Sequence, residues 1–249
     1  TIPFKDLPQA FHGFTITQLS DIHAGSFGST EDVERGVALA NAQKSDVVLF
    51  TGDLVNNFAS EMDDWKQTFS KLKAPFGQYS VMGNHDYGNY SRWNSEAARA
   101  DNLRKIKEAH KEIGFRLMLN ENLTIEKDGQ HITLIGVENW SKDINHRYGD
   151  LNKATEHINE SDFKILMSHD PTHWDAEILK HPKKINLTLS GHTHGMQMGI
   201  EIPGFIKWSP AKYLYEQWAG LYEKNEMYIY VNRGFGFIGY PGRIGILPE

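Results

Sequence analysis

Residues 47–53 read VVLFTGD, and this stretch decides the class of fold. Its first part, Val47 to Phe50, is an unbroken apolar run of the kind found in short strands that are buried on both faces. Its second part, Gly52-Asp53, places a carboxylate directly after that strand, and the glycine lets the backbone turn sharply and pass close to a ligand. A buried strand that ends in a polar turn is typical of α/β proteins, which bind ligands at the carboxyl ends of their strands.

The same unit, a short apolar strand followed by polar residues, recurs along the chain. The polar clusters that follow the predicted strands are Asp21-Ile22-His23, Gly52-Asp53, Gly83-Asn84-His85-Asp86, Ser168-His169-Asp170 and Gly191-His192-Thr193-His194. Because the carboxyl ends of strands in an α/β sheet border one crevice, we expect these side chains to meet there. The sequence therefore predicts one shared site.

Helix signals lie between the early strands. Ser29 or Thr30 predicts the start of a helix that carries an apolar stripe. Apolar side chains at helical spacing predict two further helices, over residues 61–72 and 95–113.

The second half of the chain has hairpin and strand signals instead. Asp128-Gly129 lies between two apolar runs and predicts a β-hairpin. The runs at 227–231 and 244–247 indicate further strands. Strand–helix alternation followed by hairpins predicts an α/β sandwich, with two packed sheets flanked by helices. We expect a single domain that covers residues 1–249.

Composition limits the class of protein. The 249 residues are 39% hydrophobic and 23% charged, as expected for a globular protein with a sizeable core. The net charge of -6 and the lack of a basic stretch argue against a dedicated nucleic-acid binder. The chain has no cysteine, so disulfides and thiolate metal sites are excluded, while the cellular compartment stays open.

Hydropathy and the start of the chain bear on membrane attachment. No run of about eighteen apolar residues is present, so the sequence predicts no membrane-spanning helix within these residues. The chain starts at Thr1 rather than at methionine. Two interpretations stay open: an artificial start, or a processed product from which an upstream signal or membrane anchor has been removed.

The residue types in the polar clusters favour metal binding. Aspartate, histidine and asparagine supply the carboxylate, imidazole and amide ligands that divalent metals accept. A single histidine after a strand is more often a hydrogen-bonded core residue than a ligand. Several clusters at strand ends are different, because unpaired polar side chains there cost several kcal/mol in desolvation, and metal ions remove that cost.

In their order from Asp21 to His194, the motifs resemble the signature of the calcineurin-like metallophosphoesterases. The opening stretch at 11–23 is most similar to a bacterial branch that includes YkuE-like phosphoesterases and UDP-diacylglucosamine pyrophosphohydrolases. The resemblance implies a four-layer β-sandwich with two mixed sheets flanked by helices. It also implies a bacterial protein that is cytoplasmic or membrane-associated.

The resemblance further implies a ligand set for two divalent metal ions, with Mn, Fe, Zn, Co and Ni all open as their identity. The first metal takes Asp21, His23, Asp53 and His194. The second metal takes Asp53, Asn84, His169 and His192, so that Asp53 bridges the two ions. In this family a metal-bridging hydroxide attacks phosphorus in line, and no covalent enzyme intermediate is needed.

The resemblance gives His85 and Asp86 catalytic roles. His85 is expected beside the leaving-group oxygen, as a general acid or a stabiliser of charge, although a ligand role in place of Asn84 is an alternative. Asp86 is expected to orient His85 through a carboxylate–imidazole hydrogen bond. The alternative for Asp86 is a residue that caps a turn.

Signals for substrate contacts are weaker. Asn56, Asn57, Arg92 and Trp93 lie close to the motifs in sequence, either as binding residues or as ordinary loop residues. The segment from Pro203 to Tyr222 combines aromatic side chains with lysines. That combination suits a membrane interface or an acyl-chain groove, and packing over the core is the alternative.

These observations predict a phosphodiesterase or pyrophosphohydrolase that acts on a lipid-linked or amphipathic phosphoester. We expect peripheral membrane contact and no nucleic-acid partner. The alternatives are a nuclease or a general phosphomonoesterase of the same superfamily, or a scaffold member without catalysis. Scaffold members usually lack ligands or the catalytic histidine, and this chain has both.

Overall fold

Two β-sheets form the centre of the structure, a computed structural model that describes residues 1–202 and 204–249. The first sheet has four strands, in the order β1 (Ile16–Leu19), β2 (Val47–Phe50), β3 (Gln78–Ser80) and β4 (Arg116–Leu117). The strands of the second sheet are β5 (Glu121–Lys127), β6 (Gln130–Gly136), β7 (Lys164–Met167), β8 (Leu187–Ser190), β11 (Gly220–Lys224) and β12 (Met227–Val231). Their spatial order is β11-β12-β8-β7-β6-β5, and a separate hairpin pairs β9 (Ile200–Ile202) with β10 (Ile206–Trp208).

Helices cover the outer faces of both sheets. They are α1 (Thr30–Ala42), α2 (Lys66–Phe69), α3 (Glu96–Glu112), α4 (Leu151–Ala154) and α5 (Thr172–Ala176). The first three pack on the four-stranded sheet, and α4 and α5 pack on the six-stranded sheet. Among the described residues, no helix combines the length and the apolar character that crossing a bilayer requires.

The position of strand β2 between two cores explains why its sequence is apolar throughout. Val48 and Phe50 point to the helix side, where they join one core with residues of α1 and α3. Val47 and Leu49 point the other way and pack against side chains of the second sheet. Because alternate side chains of a strand point to opposite faces, a strand between two cores needs apolar residues at every position.

The four layers that result, helices, sheet, sheet and helices, confirm the predicted fold class. Ser29 accepts a hydrogen bond from the backbone of Asp32 (3.2 Å) and caps α1 as expected. The hairpin around Asp128-Gly129 is formed by β5 and β6.

One detail of the sheets differs from the expectation of two mixed sheets. Every described strand pair of the first sheet is parallel. The second sheet is mixed, because hairpins add β5 and β11 in antiparallel orientation. The difference follows from the connections: successive strands of the first sheet are joined through α1, α2 and α3, and such crossovers give parallel neighbours.

Two predicted elements are wrong in extent. The helix expected over 61–72 is divided into a short 3-10 helix, Ala59–Met62, and α2. The Glu61 carboxylate caps the first of these by accepting bonds from the backbone of Asn56, Asn57 and Phe58. The strand expected over 244–247 is absent from the described secondary structure, and only Ile244 forms a bridge, to Met198. Gly245 has a φ of 73°, which is incompatible with an extended strand.

Parallel pairing brings the predicted polar clusters to one edge of both sheets. The backbone N–H of Asp21 donates to the carbonyl of Gly52 (2.9 Å), and Gly191 donates to His169 (3.0 Å). The two sheets are joined at the same edge, because Nδ1 of His169 donates to the carbonyl of Thr51 at 2.8 Å. The fold thus gathers the strand-end turns into one cleft.

Candidate metal centre

The structure brings the side chains of the predicted ligand set together in two groups at the strand ends. The first group is Asp21, His23 and His194, and the second is Asp53, His169 and His192; within each, the ligand-type atoms lie within 4.8 Å of one another. All of these residues are buried except His192, which is partly exposed.

In the first group the ligand atoms face one another. Nε2 of His194 lies 3.0 Å from Nε2 of His23 and 3.2 Å from a carboxylate oxygen of Asp21. Two ring nitrogens and an anionic oxygen that converge in this way form a donor set for a divalent cation.

The second group gains a fourth member, Asn84. Its amide oxygen lies 3.1 Å from Nε2 of His169 and 2.9 Å from Nδ1 of His192. Nε2 of His169 also lies 3.1 Å from Oδ2 of Asp53. The other ring nitrogen of His169 is held by the Thr51 carbonyl, which fixes the ring so that Nε2 points at the group.

Asp53 lies between the two groups. Its Oδ2 atom is 3.5 Å from Nε2 of His23 and 3.1 Å from Nε2 of His169. Its Oδ1 atom accepts a hydrogen bond from the backbone N–H of His85 at 2.9 Å. One carboxylate therefore touches both groups and is oriented by the turn that follows β3.

The histidines keep the carboxylates ionised. Burial by itself raises the pKa of Asp53, but His169 and His85 beside it bring that pKa well below its ordinary value. Asp21 follows the same pattern, with burial opposed mainly by His194, and its pKa is lowered. Burial lowers the pKa of His23 to about 3, so its ring is neutral at pH 7, as a metal ligand requires.

The backbone at this edge is strained. Left-handed φ angles occur at Asp21 (51°), His23 (49°), Asp53 (61°), His192 (73°) and His194 (51°). Residues with a Cβ adopt this region rarely, at a cost of about 1–3 kcal/mol each. Such strain at several adjacent turns is typical of functional sites, where placing the side chain outweighs backbone preference.

Two glycines of the motifs are required by close contacts. A Cβ at Gly83 would lie 2.2 Å from Oδ1 of Asp53, and one at Gly191 would lie 1.7 Å from Oγ of Ser20. Only a residue without a side chain lets these turns approach the carboxylates so closely.

The predicted hydrogen bond between Asp86 and the His85 ring is wrong. Nδ1 of His85 instead donates to the backbone carbonyl of Asn56 at 2.8 Å. The buried Asp86 carboxylate accepts from the backbone of Gly83, Asp53 and Leu54 at 2.8–3.0 Å. Burial, together with the charge of Asp53, raises the pKa of Asp86 to about 7. Asp86 therefore shapes the turn that carries Asp53, and the Asn56 carbonyl orients His85.

Two tyrosines complete the surroundings; sequence reasoning missed Tyr90 and included Tyr215 only as part of the aromatic segment. The Tyr90 hydroxyl accepts from the Asn84 amide at 2.9 Å, which turns the amide oxygen toward the ring nitrogens. The Tyr90 ring also lies 4.5 Å from the ring of His85. The Tyr215 hydroxyl lies 3.1 Å from Nε2 of His192.

The residues that were weaker candidates for substrate contact have different positions in the structure. Asn56 reaches the centre through its carbonyl, whereas the Asn57 carbonyl accepts from Asn102 and supports a loop. The Trp93 indole donates to Gly88 and packs on Phe58. No described contact assigns a role to Arg92.

The aromatic segment is divided between burial and exposure. Its first residue, Pro203, lies outside the described residues. Trp218 packs with Ala211 and Ala219 in a small core, as the packing interpretation predicted. Phe205 and Tyr213, by contrast, are exposed.

The sequence model of one family, the calcineurin-like phosphoesterases, matches residues 14–196 and so includes every motif of the centre. The chain belongs to the calcineurin-like phosphoesterase family. It is therefore a metal-dependent phosphoesterase, as the motifs implied, and the two groups of ligand-type residues are its candidate metal sites.

Relatives support this family membership over the whole chain. The metallophosphoesterase YkuE of Bacillus subtilis is 30% identical over 100% of this chain and 81% of its own length. A transmembrane protein with a metallophosphoesterase domain from Bos taurus is also 30% identical, over 100% of this chain but 54% of its own length. The chain thus spans about half of this second, longer relative.

Solved structures share the fold. NAD nucleotidase of Haemophilus influenzae matches with a TM-score of 0.55 at 13% identity, over 89% of this chain and 50% of that one. The phosphopantetheinyl hydrolase of Mycobacterium tuberculosis matches with a TM-score of 0.50 at 13% identity, over 91% and 90%. At these identities the likeness concerns architecture alone.

Proposed function

We propose that the protein hydrolyses a phosphodiester or pyrophosphate bond with two divalent metal ions held side by side. The position of Asp53 carries this proposal, because its Oδ2 atom lies within 3.5 Å of ring nitrogens from both ligand groups. The donor set fits the ions: nitrogen and oxygen ligands, two carboxylates and no thiolate suit Mn, Fe, Zn, Co or Ni. Bound there, two cations would lower the pKa of water and neutralise phosphate oxygens.

The residues have separate roles. Asp21, His23, Asp53 and His194 would hold the first ion, and Asp53, Asn84, His169 and His192 would hold the second. His85 is the group that gives a proton to the leaving oxygen, or stabilises its charge, through Nε2. That assignment is supported by the Nδ1 bond to Asn56, which leaves Nε2 without a hydrogen bond among the described residues. The His85 ring also lies 4.9 Å from the ring of His23, so it borders the first group.

The ligand assignment is tested by counting metal. His194→Ala should reduce binding at the first site and His192→Ala at the second, whereas Asp53→Asn should weaken both. Manganese stoichiometry by elemental analysis, with the spectrum of a spin-coupled Mn pair as a second readout, distinguishes these cases. A full complement of two ions in Asp53→Asn would contradict the bridging role.

The role of His85 is tested by turnover. His85→Ala should lower kcat on a chromogenic phosphodiester by about 10²–10⁴-fold, the usual contribution of a positioned acid, while metal content stays unchanged. His12→Ala removes an exposed histidine and should keep full activity. Wild-type protein that is inactive with every divalent metal would overturn the proposed hydrolysis itself and leave a binding scaffold.

We further propose that the substrate carries an apolar chain next to the phosphate. Support comes from the exposed apolar side chains Tyr213 and Leu214, which directly precede Tyr215 of the centre. The name of the bovine relative, which describes a transmembrane protein, is consistent with work at a membrane. This substrate preference is tested by comparing hydrolysis rates on four classes of compound: acylated nucleotide sugars, cyclic nucleotides, glycerophosphodiesters and single-stranded DNA. Equal rates on all of them would refute a lipid specialist, and faster cleavage of DNA would indicate a nuclease.

A further inference from the structure

The hairpin of β9 and β10 exposes apolar side chains to solvent. Ile202 pairs with Ile206, and Ile200 pairs with Trp208, so these side chains share one face. The three isoleucines are 45–53% exposed. Soluble hairpins normally place such residues against the core and their charged residues in water.

The opposite face of the hairpin is exposed as well, but its charged side chains bond to the rest of the protein. Glu201 forms an ion pair with Arg233, and its cross-strand partner Lys207 donates to the carbonyl of Ala219. The Cα of Gly199 faces the buried Ile246, since a Cβ there would lie 3.0 Å from it. The charged face is thus anchored, and this holds the isoleucine face outward.

The exposed face continues beyond the hairpin. Met198 precedes β9 on the same face, and its bridge partner is Ile244 of the C-terminal segment. At the other end, Phe205 lies in the turn of the hairpin and is 87% exposed. We call this surface the apolar face; its members are Met198, Ile200, Ile202, Phe205, Ile206 and Ile244.

The apolar face is large for a soluble protein. From the exposed fractions its residues offer roughly 600 Å² of surface, at the upper end of what soluble monomers expose. A second copy would have to meet this face with a complementary, well-packed surface. A lipid surface needs no matching partner area, because each apolar side chain that enters it gains separately.

The segment that follows the hairpin in sequence favours a lipid surface. Lys212 lies with its ammonium 5.5 Å from the ring of Tyr213, which is 73% exposed, and Leu214 beside it is 69% exposed. Tyrosine and lysine side chains place an apolar body at the bilayer boundary and a polar end in the head-group region. This segment leads from β10 directly to Tyr215, whose hydroxyl contacts His192.

We propose that the apolar face docks the protein onto the surface of a phospholipid bilayer, with Phe205 at the tip of the hairpin entering the acyl boundary. Docking there places the candidate metal centre next to lipid head groups. That this placement helps the enzyme reach its substrate rests on the lipid-linked substrate proposed above. The docking itself does not depend on hydrolysis.

Vesicle sedimentation tests the docking directly. Wild-type protein should sediment with vesicles of phosphatidylethanolamine and phosphatidylglycerol, and the Ile202→Asp/Phe205→Asp variant should lose at least about tenfold in partitioning. Leu39→Asp is the control, since Leu39 is an exposed apolar residue (60%) on α1, away from the hairpin, and its partitioning should stay unchanged. His85→Ala should bind vesicles like the wild type, so a failure of the proposed catalysis and a failure of docking are distinguishable.

Three results would overturn the proposal. The first is wild-type protein that stays in the supernatant, and the second is a hairpin variant that sediments as well as the wild type. The third is a dimer in light scattering that the hairpin variant loses, which would make a second copy the occupant of the apolar face. Unchanged hydrolysis of a small water-soluble ester by the hairpin variant excludes unfolding as the cause of its lost binding.

Discussion

Tyr215 acts on the candidate centre without belonging to any motif. Its hydroxyl lies 3.1 Å from Nε2 of His192, while Nδ1 of the same ring faces Asn84 and His169. A metal bound at Nδ1 would leave the hydrogen on Nε2, which would then donate to the Tyr215 hydroxyl. The tyrosine would in that way fix both the tautomer and the orientation of the ring.

Tyr215→Phe is expected to weaken metal binding at the second site by about 10–100-fold, because the outer partner of a ligating histidine is lost. Titration of the metal-free protein with Mn²⁺ measures this effect, and the first site should be unaffected. Tyr213→Phe is the matched control, since Tyr213 is exposed two residues away. Equal affinities in Tyr215→Phe and wild type would show that the contact has no role in binding.

At the scale of single residues, side chains within motifs were predictable and those outside them were not. Asp53 and His192 follow buried strands after a glycine, and the structure brings them together as expected. Tyr215 has no comparable signal, because only the path of a long loop brings it to His192. The contact between His85 and the Asn56 carbonyl could not be predicted from the sequence, because every residue has a backbone carbonyl.

At the scale of elements, the turn after β8 is packed too closely to accept a side chain at Gly191. A Cβ at Gly191 would meet Oγ of Ser20 at 1.7 Å and Oδ2 of Asp21 at 2.3 Å. The backbone N–H of His192 donates to the Asp21 carboxylate from this turn at 3.0 Å. The turn can therefore not accept a side chain without displacing a carboxylate of the first group.

Gly191→Ala is expected to destabilise the metal-free protein by about 1–3 kcal/mol, the usual effect of overpacking, and to lower metal affinity at the first site. Chemical denaturation in the presence of a chelator measures the free energy of unfolding. Gly28→Ala is the control, because no atom lies within 4 Å of a Cβ there, and its stability should change little or rise. A Gly191→Ala variant as stable as Gly28→Ala would contradict the close packing.

Elements were predicted where pattern and packing agree. Strand β2 is apolar at every position because it separates two cores, and its predicted limits match the structure. The helix expected over 61–72 is divided, because the Glu61 carboxylate accepts from three backbone N–H groups and caps a separate short helix at Ala59–Met62. Periodicity does not register such a cap, and it likewise missed the positive φ of Gly245.

For the molecule as a whole, layered packing buries one titratable side chain completely. His110 of α3 is fully buried against Phe50 of β2, with ring centroids 5.8 Å apart. Neither ring nitrogen has a hydrogen-bond partner among the described residues. Burial alone lowers the pKa of His110 to about 3, from an ordinary value of 6.5.

This burial makes the stability of the fold depend on pH. Above pH 6.5 the His110 ring is neutral in both folded and unfolded chains and contributes no pH dependence. Between pH 6.5 and about 3 the unfolded chain takes up a proton that the folded protein excludes, so stability falls as the pH falls. The loss approaches about 1.4 kcal/mol per pH unit in the middle of that window.

His110→Leu should remove this contribution. In metal-free protein, the free energy of unfolding of the variant should fall less steeply between pH 6.5 and 4 than that of the wild type. Carboxylates such as Asp21 and Asp53 titrate in both proteins, so the difference between the two curves isolates His110. His12→Leu, which replaces an exposed histidine, should keep the wild-type slope. Parallel curves for His110→Leu and wild type would mean that the helix–sheet layer opens to admit the charged ring.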